Sequence, residues 1–294
     1  MNKHGYSFYV AAVFFTAALF FIIVSNDFNA VAQDGEIRLL VRGDDIGFSH
    51  AANVACIKSY REGIMRSVEV MVPCPWFKEA VKMLNENPGL DVGIHLDLTS
   101  EWEFYKWGPI TNAPSLVDDK GYFLPMTSQR DDFPPNTGFR ESNFDIDEVE
   151  RELRAQIEIA LREIKSVSHM TGHMGTTGAT RELSALVQKL SKEYNLPTRA
   201  PGTRRAGGFP SGATPEEKVD AMVEILENLK PGTYLFIEHP GLDTPEMRAI
   251  GHEGYRDVAI DREGVTQAFT SERVKAVIKR RGIKLVSYAD LYEE

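Results

Sequence analysis

Four apolar stretches of this chain end in Asp or His, the side chains that hold divalent cations and move protons. Leu39-Leu40-Val41-Arg42-Gly43-Asp44-Asp45 runs from strand-type residues into two adjacent carboxylates. His95 closes Gly93-Ile94-His95, His169 and His173 flank Met170-Thr171-Gly172, and His239 closes Phe236-Ile237-Glu238-His239. Two neighbouring carboxylates at the mouth of a buried strand repel one another, and desolvation adds to the cost of keeping both charged. A divalent metal compensates both effects. Taken alone, the Asp pair also fits a loop in which one Asp caps a turn and the other is solvated, and a lone His at a strand end is ordinarily structural. Convergence of four strands on Asp and His favours a site.

Two His nitrogens and one Asp oxygen suit Zn²⁺ or a similar divalent ion, with positions left for water and substrate. On a helix His169 and His173 would share a face, but Gly172 and Gly175 break helicity here. Both therefore need not be ligands. His173 lies nearer the strand's end and is preferred, with His169 supporting from behind.

These residues need elements that deliver them to one place. Strand patterns read at 37–41, 67–72, 91–96, 167–171, 197–200, 234–238 and 284–287. Helical patterns lie between them at 51–62, 76–85, 146–164, 181–194, 215–229 and 271–280. Regular alternation implies a parallel sheet with helical crossovers. Seven strands, with room for an eighth, predict an α/β fold: a (β/α) barrel, irregular or incomplete, with the polar groups at its C-terminal mouth. Residues 101–143 break the rhythm, being rich in Pro, Asp, Gly and aromatics. A loop that long is usually functional. Trp102 and Trp107 within it suit stacking on sugar rings, and packing the loop down is the alternative.

The chain of 294 residues carries a formal net charge of −10, which argues against nucleic acid and anionic membrane surfaces. Lys3 and His4 precede an apolar run from residue 8 to 24, and Ala30-Val31-Ala32 offers a cleavage site. Residues 1–32 thus read as a signal peptide or an uncleaved N-terminal membrane anchor, and 33–294 as one exported domain, periplasmic or extracellular. Cys56 and Cys74 read as buried thiols.

The run from Val41 to Gly47, the segment Gly93-Ile94-His95-Leu96-Asp97-Leu98-Thr99, and His169-Met170-Thr171-Gly172-His173-Met174-Gly175 resemble the YdjC-like carbohydrate deacetylases, of the chitooligosaccharide deacetylase type. The resemblance covers nearly all of 33–294. It implies a barrel of the polysaccharide-deacetylase-like type and a divalent-metal hydrolase, with Zn²⁺ or Mg²⁺, that removes acetyl groups from N-acetylated sugars. By position, it implies Asp45, His95 and His173 as metal ligands and Asp44 as catalytic base. Arg42-Gly43 replaces the family's more usual Asn-Ala, and Gly175 replaces a further His; both leave the triad intact.

An amine leaves poorly unless protonated, and His239 is the candidate general acid, with a structural or substrate-binding role as its alternative. Arg199, at another expected strand end, would hold substrate oxygens, pair with Asp44, or form a plain surface salt bridge. Three rival functions are weighed. A glycoside hydrolase needs two carboxylates across a sugar bond, and adjacent Asp44 and Asp45 cannot flank one. A hydrolase of another ester or phosphoester would share the ligands. A non-catalytic carbohydrate-binding protein would keep the aromatic loop alone.

Overall fold

An unbroken apolar run makes a strand that must be covered on both faces. Leu39, Leu40 and Val41 are wholly buried in the central strand β1 (Ile37–Ile46). The computed structural model describes Met1 and residues 35–293. After β1 come α1 (His50–Arg61), β2 (Ser67–Val70), α2 (Phe77–Asn85), β3 (Asp91–Leu96), α3 (Ile146–Glu163) and β4 (Val167–Gly172). The chain continues through α4 (Arg181–Tyr194), β5 (Thr203–Arg205), α5 (Pro215–Asn228), β6 (Gly232–Glu238) and α6 (Pro245–Arg248). It closes with α7 (Val258–Thr270), α8 (Glu272–Arg281), β7 (Lys284–Val286) and α9 (Tyr288–Tyr292).

Every strand pair is parallel, in the order β4-β3-β2-β1-β6-β5. One side of β1 pairs with β6; the other pairs with β7 at its start and β2 at its end. β4 and β5 end the order, and the Met170 N–H donates to the Pro197 carbonyl (3.0 Å), laying the segment before β5 against β4. This is the irregular (β/α) barrel that the alternation predicts, with seven strands among the described residues.

Helix ends follow local chemistry. Ser49 Oγ accepts from the Ala52 N–H (3.1 Å) to start α1, and Thr214 with Glu217 forms a capping box for α5. Gly282 ends α8 at φ 63°, where glycine carries no Cβ penalty.

Several elements differ from expectation, the short helices α6 and α9 among them. The strand expected at 197–200 lies at Thr203–Arg205, since Pro197 and Pro201 lack the N–H a ladder needs. α7 was not expected at all. Between β3 and α3 the only helical element is one 3₁₀ turn, Pro114–Leu116. Cys56 and Cys74 are buried free thiols.

The expectation of an exported or membrane-anchored protein is corrected. Among the described residues no helix is long and apolar enough to cross a membrane. The signal-peptide reading rests on residues 1–32 alone, of which all but Met1 lie outside the described residues.

Candidate metal centre

Neighbouring residues of a regular strand point to opposite faces, so Asp44 and Asp45 should not meet one partner. Asp45 escapes the rule with φ 73°, a left-handed conformation that Asp tolerates better than most residues. The β1–β2 register shifts at the same place, between Gly43 and Ile46. Both carboxylates consequently face His95, whose Nε2 lies 3.8 Å from Asp44 Oδ2 and 3.7 Å from Asp45 Oδ1.

His173 completes a cluster. β4 ends at Gly172 and His173 starts a short 3₁₀ segment. Its Nδ1 stands 3.5 Å from Asp45 Oδ1. Asp45, His95 and His173 each offer one donor atom, and these atoms all lie within 4.8 Å of one another in a buried site. Asp45 Oδ1 and His173 Nδ1 are buried without a hydrogen-bond partner. Leaving such atoms unmatched is costly, and a cation between them removes the cost, so the donor set fits a divalent metal.

The surroundings leave those two atoms free by occupying the others. Arg262 Nη2 donates to Asp45 Oδ2 (2.9 Å), and His173 Nε2 meets Glu101 Oε2 at 3.1 Å. Burial resists ionisation of Asp45, yet His239, Arg262 and His173 hold its carboxyl well below the usual range. Burial also resists charge on His173, but Glu101 and Asp97 outweigh it and raise its pKa well above the ordinary imidazole value. The same negative field favours a metal cation.

Asp44 is gripped differently. Arg42, two residues earlier on the same face of β1, donates from Nε to Oδ1 (2.7 Å) and from Nη2 to Oδ2 (2.8 Å). Arg199 therefore does not pair with Asp44. It is exposed and lines a cavity of about 440 Å³ with Arg42, Thr171, Thr198 and Tyr288. His239 follows β6, on the other flank of β1 from β2 and β3. It is half-exposed, with Nε2 4.0 Å from Asp45 Oδ2. His169 stands apart from the cluster, bonded through Nε2 to Glu69 Oε1 (2.7 Å).

The expectation of two tryptophan platforms is corrected. Trp102 is 2% exposed and Trp107 is 3% exposed. Trp102 stacks on His252 (5.5 Å, 24°) and takes the Arg262 guanidinium over its ring at 5.4 Å. Trp107 Nε1 donates to Asp97 Oδ2 (2.6 Å), and its ring lies 6.4 Å from that of His173. No free face is left for a sugar; these rings pack beneath the site. Burial pushes the Asp97 carboxyl up to about 7.

Sequence reasoning missed three residues. Arg42 carried a signal, its two-residue spacing from Asp44 on a strand. Glu101 sits in an aperiodic loop, and Arg262 reaches Asp45 from 217 residues away, so neither carried one.

The sequence profile of the YdjC-like protein family matches residues 38–280. A carbohydrate deacetylase of Thermus thermophilus is 30% identical over 236 residues, spanning 72% of this chain and 80% of the relative. A carbohydrate deacetylase of Brevibacillus brevis is 28% identical over 277 residues, spanning 87% of this chain and 100% of the relative. Among solved structures, a protein of Enterococcus faecalis V583 proposed to act in cellobiose-phosphate cleavage has a TM-score of 0.69 at 22% identity. That match covers 87% of this chain and 99% of the other.

Proposed function

This chain belongs to the YdjC-like protein family, and on that premise we propose that it is a divalent-metal-dependent hydrolase removing acetyl groups from N-acetylated sugars or oligosaccharides. The observation that carries the reading is the orphaned pair Asp45 Oδ1 and His173 Nδ1, facing His95 beside an arginine-held Asp44. The relatives named carbohydrate deacetylase supply the substrate class.

Asp45, His95 and His173 hold Zn²⁺ or Mg²⁺ in this reading. The ion supplies Lewis-acid polarisation of the acetyl carbonyl and lowers the pKa of water. Asp44 takes the proton from the attacking water, and the two-pronged grip of Arg42 holds its carboxylate aimed. His239 gives a proton to the departing nitrogen, reaching the site from the opposite flank of β1. Arg199 binds substrate oxygens from the rim of its cavity. Residues 33–294 form the deacetylase-like domain, with 101–143 as its insertion.

The test is acetate release from a panel of N-acetylated and O-acetylated sugars, on chelator-stripped protein with and without added Zn²⁺, Mg²⁺, Mn²⁺ or Co²⁺. Metal-dependent release supports the reading. Metal binding without release from any sugar turns it to a hydrolase of another ester or phosphoester. Sugar binding with neither leaves a carbohydrate-binding protein.

A further inference from the structure

Below the metal centre the barrel holds a buried polar set that the chemistry above does not use. Glu69 of β2 and His169 of β4 are both wholly buried. Their strands are not neighbours, because β3 runs between them. At this level the cross-strand row is Glu69, Gly93, His169. A Cβ on Gly93 would overlap both carboxylate oxygens of Glu69 and Nε2 of His169. The glycine thus keeps open the space across which carboxylate and imidazole meet.

Two residues further along, β3 and β4 set His95 beside Thr171. Thr171 Oγ1 lies 2.9 Å from His95 Nδ1 and 2.7 Å from Glu69 Oε2. Two buried groups are therefore joined through the half-buried Thr171 in one line, from His95 through a hydroxyl to a carboxylate. Arg42 Nε stands 3.7 Å from Glu69 Oε1, which favours the ionised, acceptor-only carboxylate. A hydroxyl has one proton. Thr171 donates it to Glu69 and must accept from His95, so His95 carries its proton on Nδ1. The lone pair is then on Nε2, the nitrogen that faces Asp45 Oδ1.

We propose that Thr171 and Glu69 are positioning residues that fix His95 in its Nδ1–H tautomer and so preset Nε2 as a metal ligand. The proposal rests on the reading of Asp45, His95 and His173 as a metal site. A hydrogen-bond acceptor on the non-ligating nitrogen orients a ligand imidazole and raises its basicity, and its loss costs on the order of 10–100-fold in metal affinity. Gly93 belongs to the same device, since it makes room for the carboxylate that ends the relay.

Thr171→Val keeps the side-chain shape and removes the hydroxyl, whereas Thr171→Ser retains it. Zn²⁺ affinity of each variant and of the unaltered chain is measured by competition with a chromophoric chelator. Thr171→Val should bind about 10–100-fold more weakly, and Thr171→Ser should recover most of that loss. Equal affinity in all three proteins overturns the relay and leaves the metal site standing. An unaltered chain that binds no Zn²⁺ overturns the site itself. Independently of whether Thr171→Val folds, nitrogen-15 NMR of the unaltered, metal-free chain reads the His95 tautomer. Nδ1–H is expected, and a proton on Nε2 overturns the proposal.

Discussion

The two carboxylates at the end of β1 are neighbours in sequence but have different partners. Arg42 occupies both oxygens of Asp44, whereas Arg262 occupies only Oδ2 of Asp45 and leaves Oδ1 bare toward His173. The proposed division of roles, with Asp45 as ligand and Asp44 as base, rests on that asymmetry. Asp44→Asn should keep its metal by elemental analysis and lose on the order of 10²–10⁴-fold in turnover. Asp45→Asn should lose metal instead, and the opposite pattern would exchange the two roles. His95→Ala and His173→Ala should each lose metal and activity together, and full metal content in both would sink the ligand set. Residue types alone made much of this cluster legible, because Asp and His at strand ends are conspicuous. The left-handed turn at Asp45 was not legible: an Asp-Asp pair in a strand reads as two opposed side chains until φ is known.

Most strands and most helices were legible for the usual reason, periodicity bounded by caps. α7 was not, and its burial shows why. Val258, Ala259, Arg262, Gly264, Val265, Thr266, Ala268 and Phe269 are all buried, which leaves no single apolar stripe. A helix covered on several sides reads as irregular apolar sequence, and Gly264 in its interior weakens the pattern further. Gly264 allows a close approach, since a Cβ there would press on Pro215 and Lys218 of α5. Lys218 Nζ in turn donates to the Asp261 carbonyl (2.8 Å), tying the two helices together. This packing carries Arg262 to Asp45. Arg262→Met leaves a buried carboxylate without its cation, a change that typically costs about 3–5 kcal/mol. Urea unfolding of the metal-free variant should show that loss, and Zn²⁺ should lessen it by supplying a replacement charge. A loss that Zn²⁺ leaves untouched would argue against Asp45 as a ligand.

At the scale of the molecule, the barrel and the segment joining β3 to α3 form one body around the site. The alternation of strands and helices made the barrel legible, but an aperiodic segment gives no pattern from which to read burial. Its tryptophans therefore looked like free platforms, although their rings lie under the mouth. Trp102 packs against Phe48, just beyond the Asp pair, and against Arg262, which holds Asp45. A platform and a packed ring respond differently to truncation. Loss of a platform raises KM and leaves the fold alone; loss of a buried Trp opens a cavity and typically costs about 3–5 kcal/mol. Trp102→Ala should thus lower the urea midpoint, and it should weaken Zn²⁺ binding as Arg262 loses the ring beneath it. Trp102→Phe keeps an aromatic face in place and should recover much of both. Unchanged stability with a raised KM in Trp102→Ala would restore the platform reading. A stability loss with unaltered Zn²⁺ affinity would show that the loop supports the barrel without supporting the metal centre.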